Sequence, residues 1–330
     1  MREGLVAVLY LLNRFAHAVI RIALVSLIAE ELVCCRVHSM ANEPYLVVLG
    51  IAQDGGYPQI GCQRDCCQPA WKEFANRRFT SCLALVDPVS EERWLFDCTP
   101  DFRDQMHLLE TIAGRASGRP LDGILLTHAH IGHYSGLIHL GREVLGAQAV
   151  PLYCMPRMQY FIETNGPWSQ LVKLGQVDIQ RLAAAESTQL NGRVSVTPFL
   201  VPHRDEFSET VGFQIDACGK RAVFLPDIDK WERWQVPAES LIRSCDIAFL
   251  DGTFYGPDEL PGRDMAEIPH PFVMESLQRF GQLPAVERAK IHFIHFNHSN
   301  PLNRNDSEAG HAVLQQGLRV AEQGNVWHFK

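Results

Sequence analysis

Three of the chain's 14 histidines fall within six residues, in Thr127-His128-Ala129-His130-Ile131-Gly132-His133-Tyr134. Neutral imidazole is the commonest side-chain metal ligand, and three so close exceed what a packed core asks for. The apolar run Gly123-Ile124-Leu125-Leu126 leads straight into them. That pattern predicts a buried strand delivering its imidazoles to a loop, where a ligand can reach them.

The arrangement recurs down the chain. Val194 to Val201 is strand-like and ends at Pro202-His203-Arg204-Asp205. Ala222 to Leu225 ends at Pro226-Asp227, Ile247 to Leu250 at Asp251-Gly252-Thr253, and Ile291 to Ile294 at His295-Phe296-Asn297-His298. One such ending could be a helix cap or a salt bridge. Several, all of metal-ligand type, predict a single site assembled from distant segments. Imidazole mixed with carboxylate suits Zn²⁺, Mn²⁺ or Fe²⁺. An aspartate bridging two ions, with histidines around it, would generate a metal-bound hydroxide, because coordination lowers the pKa of water to about 7. His139 and His292 fall at helix and strand positions and read as structural.

The elements that must hold these residues begin near Tyr45. Leu46 to Gly50 reads as a first strand, running into the glycine-rich loop Gln53-Asp54-Gly55-Gly56-Tyr57-Pro58-Gln59. Ser81 to Val86 and Trp94 to Phe96 read as a strand pair ending at Asp97-Cys98-Thr99-Pro100-Asp101, where a carboxylate could cap a following helix or support a site from behind, and Asp101 to Ala113 has helical patterning. Between the glycine-rich loop and Ser81 lie Cys62, Cys66 and Cys67. Their spacing admits a structural zinc completed by another ligand, with ordinary reduced thiols the simpler expectation. Residues 1–40 are expected to form an extension outside the fold. Leu5 to Leu12 could serve as a signal-peptide core, but Arg14 and Arg21 break the apolar stretch. No uncharged run there reaches the roughly 18–20 residues that span a bilayer. One domain over 45–330 and a cytoplasmic location are expected, with export as the alternative if residues 1–18 act as a signal.

At 330 residues the chain can bury a sizeable core, and 46% hydrophobic with 21% charged residues is ordinary for a globular protein. A net charge of −8 argues against a nucleic-acid surface and leaves a small molecule as the expected partner. Ten scattered cysteines are too few for a disulfide-built scaffold.

His128-x-His130-x-x-His133, followed in order by His203, Asp227 and His295, resembles the metallo-β-lactamase superfamily, whose usual first motif is His-x-His-x-Asp-His. Gln53 to Gln59 with Cys62, Asp251 to Phe254, Pro269-His270-Pro271 and His295 to Pro301 resemble the subgroup of the pyrroloquinoline-quinone biosynthesis B protein. The resemblance runs from about Tyr45 to the C-terminus. It implies an αββα sandwich, two mixed sheets flanked by helices, with one or two Zn²⁺ ions (or Mn²⁺ or Fe²⁺) at the sheet edge. His128, His130 and His203 would hold one ion, Asp227 would bridge, and His133 with His295 would hold the second. Asp227, His133 and His298 would carry catalysis, with His270 and Asp251 near the site and Tyr134, Arg204 and Asn297 facing substrate. Gly132 replaces the motif's aspartate, so the second ion would be weak, absent, or completed by His298 or another acid such as Asp205. The biosynthesis protein departs differently, keeping the Asp-His and lacking the paired histidines. The implied function is metal-dependent hydrolysis of a phosphodiester or other ester. The alternatives are an iron-dependent oxygenase or oxidoreductase of quinone-cofactor synthesis, and a non-enzymatic metal binder with a degraded site.

Overall fold

The strands β1 (Tyr45–Gly50), β2 (Cys82–Asp87) and β3 (Glu92–Phe96) begin the first sheet and pair antiparallel. β4 (Gly123–Leu125), β5 (Val150–Cys154) and β6 (Val177–Arg181) extend it in parallel from β3. The second sheet is built from β7 (Thr188–Gln189), β8 (Val194–Leu200), β9 (Val211–Ala217), β10 (Lys220–Leu225), β11 (Ile247–Asp251), β12 (Ile291–Ile294) and β13 (Arg319–Val320). It is antiparallel from β7 to β10 and parallel from β10 to β13. The last strand, β14 (Val326–His328), returns to the free edge of β1, so each sheet holds seven strands. This computed structural model describes residues 42–330. The expected N-terminal extension and export signal lie outside those residues.

Strand composition explains the layering. In β1, Leu46 and Val48 join the core between the sheets, while Val47 and Leu49 join a second core under helices. A strand buried on both faces must be apolar on both, hence the unbroken run rather than an alternating one. Phe96 packs edge-on against Phe213 and Phe224 of the opposite sheet, at 5.5 and 6.1 Å between ring centres. All three rings are fully buried, the kind of position where truncation to alanine costs about 3–5 kcal/mol. The amphipathic helices Phe102–Ala113 and Pro156–Thr164 cover the outer face of the first sheet through Leu109, Met158 and Ile162. Ala238–Arg243 and Val273–Phe280 bury Leu241, Ile242, Val273 and Leu277 in the core that includes the second sheet.

The result is the αββα sandwich that the histidine motif implies. Its parallel strands β3, β4, β10, β11 and β12 end on one rim, and the residues that follow them face each other across the gap between the sheets. Among the described residues no helix is long and apolar enough to cross a membrane.

Candidate metal centre

Asp227, directly beyond β10, is the point on which the rim converges. Its Oδ2 lies 3.2 Å from His128 Nε2, 3.3 Å from His133 Nε2 and 3.7 Å from His295 Nε2. Its Oδ1 lies 3.5 Å from His203 Nε2. His130 enters through Nδ1, 2.9 Å from His128 Nε2. The structure therefore brings His128, His130, His133, His203, Asp227 and His295 together from four segments of the chain.

Two ligand groups can be separated. His128, His130, His203 and Asp227 form one, and Asp54, His133 and His295 form another, each with ligand atoms within 4.8 Å of one another. Bonds of about 2.0–2.1 Å to nitrogen and oxygen set tetrahedral ligand atoms about 3.3–3.4 Å apart. The separations around Asp227 cluster about that value. Asp54 Oδ1, His133 Nε2, His203 Nε2, Asp227 Oδ1 and His295 Nε2 are all buried without a hydrogen-bond partner. Buried polar atoms are normally paired, so five orphans aimed at one spot fit a cation.

Each ring is oriented from behind. The His133 Nδ1–H donates to Asp97 at 2.7 Å. His128 Nδ1 lies 2.9 Å from the Thr127 hydroxyl, which itself donates to Asp97 at 2.9 Å. His295 Nδ1 leans on the Thr253 hydroxyl at 2.9 Å, and that hydroxyl donates to Asp251 at 2.7 Å. His203 Nδ1 meets Asp229 at 3.2 Å, held in turn by Arg233. His130 Nε2 faces Glu206 at 3.4 Å. Such outer partners fix the tautomer and raise ligand basicity. Burial, then the neighbouring His133, holds His128 well below the usual histidine range, and burial lowers His130 too. Both are thus neutral and ready to ligate. Burial opposes charge on Asp227, but the surrounding His203, His295 and His270 outweigh it and keep the carboxylate ionised.

His270 and Asp251 also reach the centre. His270 Nδ1 lies 2.8 Å from Asp251 Oδ2 and 3.2 Å from Asp227 Oδ1. Burial would lower its pKa, yet the two carboxylates lift it to about 9. Its ring borders a cavity of about 450 Å³ that Arg204, Arg263, Gln53, Gln59 and Asn297 also line.

Three expectations need correction. His298 does not join the histidine centre. Its Nδ1 lies 3.3 Å from Cys67 Sγ and 3.8 Å from Cys66 Sγ, and Cys62 Sγ is 3.8 Å from Cys66 Sγ. These four residues form a separate group of the Cys₃His type. Tetrahedral sulfur ligands bonded at about 2.3 Å sit about 3.8 Å apart, so the adjacent thiols fit a structural zinc after all. Burial pushes the Cys67 thiol up to about 12, and a cation would be needed to hold it as thiolate. Asp205 completes nothing at the centre, because its carboxylate pairs with Arg157 at 3.1 Å on the surface. Tyr134 does not face substrate: it is buried, with its ring against Trp168 and Phe161. Of the residues expected to be structural, His139 stacks on Phe102 and His292 bonds the Lys290 carbonyl.

The supports Thr127, Thr253, Asp229 and Glu206, and the acid Asp54, were not among the site residues expected from sequence, whereas Asp97 was a strand-end carboxylate that could cap a helix or back the site. Asp54 carried a usable signal, since it follows β1 as Asp227 follows β10.

Comparison with known proteins agrees with this architecture. Coenzyme PQQ synthesis protein B of Methylorubrum extorquens (strain PA1) is 27% identical over 301 residues, which covers 85% of this chain and 98% of that protein. The crystal structure of Zn²⁺-bound PqqB from Methylobacterium extorquens superposes with a TM-score of 0.73 at 25% identity, covering 86% of this chain and all of that one. A diphosphatase of the PhnP family shares the fold, with a TM-score of 0.61 at 22% identity over 87% of this chain and 97% of that one. The model of the β-lactamase superfamily domain matches residues 92–323, and the chain belongs to that superfamily.

Proposed function

We propose that the protein is a metal-dependent hydrolase acting on a phosphodiester or other ester of a small molecule that carries an additional anionic group. The observation behind this is the convergence of His128, His130, His203, His133 and His295 on the Asp227 carboxylate, with unpartnered nitrogens and oxygens facing inward. The first three histidines would hold one ion, His133 and His295 the other, and Asp227 both, with zinc the leading candidate. Divalent ions bound there supply Lewis acidity, making water a competent nucleophile near neutral pH and offsetting charge on the substrate.

The chain's own groups do the rest. His270 sets Nδ1 beside two carboxylates, which favour the doubly protonated ring, and it borders the substrate cavity. The imidazolium would give its Nε2 proton to the leaving oxygen and keep the Nδ1 proton on Asp251, a contribution worth about 10²–10⁴-fold when the donor is well placed. Arg204 and Arg263 bring two cations to the cavity wall, and Gln53, Gln59 and Asn297 bring amide donors. Guanidinium forks suit phosphate or carboxylate oxygens. Phe254, Leu260 and Ile268 supply an apolar side for the body of the substrate.

A second reading is an oxidative step in quinone-cofactor synthesis at a non-haem iron. It rests on the likeness to coenzyme PQQ synthesis protein B over nearly that protein's full length, and imidazole with carboxylate also suits iron. One experiment separates the two. The full-length chain is stripped of metal, repleted with Zn²⁺, Mn²⁺ or Fe²⁺, and assayed for hydrolysis of bis(p-nitrophenyl) phosphate and for oxygen consumption, beside His128→Ala. Metal-dependent hydrolysis that His128→Ala abolishes supports the hydrolase. Tight iron, no hydrolysis and iron-dependent oxygen uptake would replace it with the second reading.

A further inference from the structure

Gly132 stands where the superfamily's first motif has an aspartate, and the space is not empty. A Cβ built on Gly132 would lie 2.3 Å from Asp54 Oδ1, 2.7 Å from Asp54 Cγ and 2.6 Å from Asp54 Cα. Real carbon atoms do not approach so closely. The glycine is therefore what admits a carboxylate that arrives from another part of the chain, 78 residues upstream by number (132 − 54).

The same carboxylate has ligand geometry. Asp54 Oδ1 is 3.4 Å from His133 Nε2 and 3.6 Å from His295 Nε2. Those two nitrogens stand 3.3 and 3.7 Å from Asp227 Oδ2. These four separations are close to the edges, about 3.3–3.4 Å, of a tetrahedron around a first-row divalent ion. Asp54 Oδ1 is buried and has no hydrogen-bond partner, as do both histidine nitrogens. Burial alone would neutralise the acid, but the adjacent His133 and His295 keep it well below the usual carboxylate range.

The backbone fixes it there. The Gln53 amide donates to the Phe296 carbonyl at 2.8 Å, and the Phe296 amide donates to the Ile51 carbonyl at 2.7 Å. The segment before Asp54 is thereby stitched to the segment that carries His295. Gly56 N–H closes the turn on the Gln53 carbonyl at 2.7 Å.

We propose that Asp54 is the carboxylate ligand of the second ion, relocated from the histidine motif, where Gly132 lies in the short helix Ile131–Tyr134, to the loop after β1, with Gly132 required to admit it. The inference rests on the two-ion reading above. It adds a consequence for function: Gln53 and Gln59 of the same loop line the substrate cavity, so the second ion is held by a substrate-facing segment.

Mn²⁺ tests this well, because a hard ion avoids the thiol group and a coupled pair has its own electron paramagnetic resonance spectrum. The full-length protein is titrated with Mn²⁺ as wild type, Asp54→Ala, Asp54→Asn and Gly132→Ala. Circular dichroism of each metal-free variant checks the fold. Wild type is expected to bind two Mn²⁺ as a coupled pair. Asp54→Ala and Gly132→Ala are expected to keep one uncoupled ion and to weaken the second more than about 100-fold, beyond the 10–100-fold typical of losing an outer partner. Asp54→Asn should fall between. A wild-type-like coupled pair and affinity in a folded Asp54→Ala would overturn the assignment and leave the hydrolase reading intact. A wild type that binds only one, uncoupled Mn²⁺ would overturn the two-ion reading and this inference with it.

Discussion

In the first sheet, Asp97 accepts from the Thr127 amide at 2.8 Å and from His133 Nδ1 at 2.7 Å, and the Thr127 hydroxyl backs His128. In the second, Asp251 accepts from the Thr253 amide at 2.8 Å and from His270 Nδ1 at 2.8 Å, and the Thr253 hydroxyl backs His295. Both aspartates are fully buried at the ends of parallel strands. The devices match in donor, acceptor and distance, yet they deliver different groups. His133 turns its free Nε2 inward to Asp227. His270 puts Nδ1 against both Asp251 and Asp227 and leaves its other edge to the cavity. The Asp97 device thus orients two candidate ligands, and the Asp251 device orients one candidate ligand and the proposed proton carrier. A buried Asp-Thr-His support fixes orientation, and which nitrogen faces the centre decides the chemistry.

Substituting the two aspartates should expose that difference most strongly. Asp97→Ala removes support from His128 and His133, one from each ion's set. Metal affinity should fall more than about 100-fold, since each lost outer partner costs about 10–100-fold. Asp251→Ala leaves His128, His130 and His203 untouched. It should keep one ion while kcat drops by about 10²–10⁴-fold or more, through misplacement of His270 together with the loosened His295 side of the centre. Elemental analysis beside steady-state kinetics reads both, and equal metal loss in the two variants would erase the contrast.

A smaller and more selective effect is expected for His270→Gln. Metal content should stay at the wild-type value. With a poor alkoxide leaving group kcat should fall about 10²–10⁴-fold, and with p-nitrophenolate, which needs little protonation, by about tenfold or less. An equal loss on both substrates would assign His270 to orienting Asp227 instead.

The same contrast explains what the sequence made legible. His128, His203, Asp227 and His295 each end or closely follow an apolar run, and a strand's end is where a sheet presents side chains to a ligand. The sandwich follows from those runs, because β1, β2 and β11 are apolar on both faces. Asp54 obeys the same rule after β1, but the two glycines beside it read as a plain loop, and only the packed backbone shows why Gly132 lacks a side chain. His298 misleads by nearness in sequence. The turn after Phe296, in which Asn297 N–H bonds the Thr253 carbonyl at 2.9 Å and Asn300 N–H bonds that of Asn297 at 2.9 Å, separates it from His295 and sends it to the thiols. Asp97 was readable as a strand-end carboxylate, but its partnership with Thr127 was not, because a hydrogen bond over 30 residues leaves no local pattern.

In the proposed centre Asp227 stands between two ions, one held by His128, His130 and His203 and the other by His133 and His295. Anomalous diffraction from crystals of the Zn²⁺-repleted protein, recorded on both sides of the zinc absorption edge, tests it directly. Two peaks flanking Asp227 are expected, one beside His128, His130 and His203 and one beside His133 and His295, with a third among Cys62, Cys66, Cys67 and His298. A map with density at the thiols and none beside Asp227 would rule out the two-ion centre.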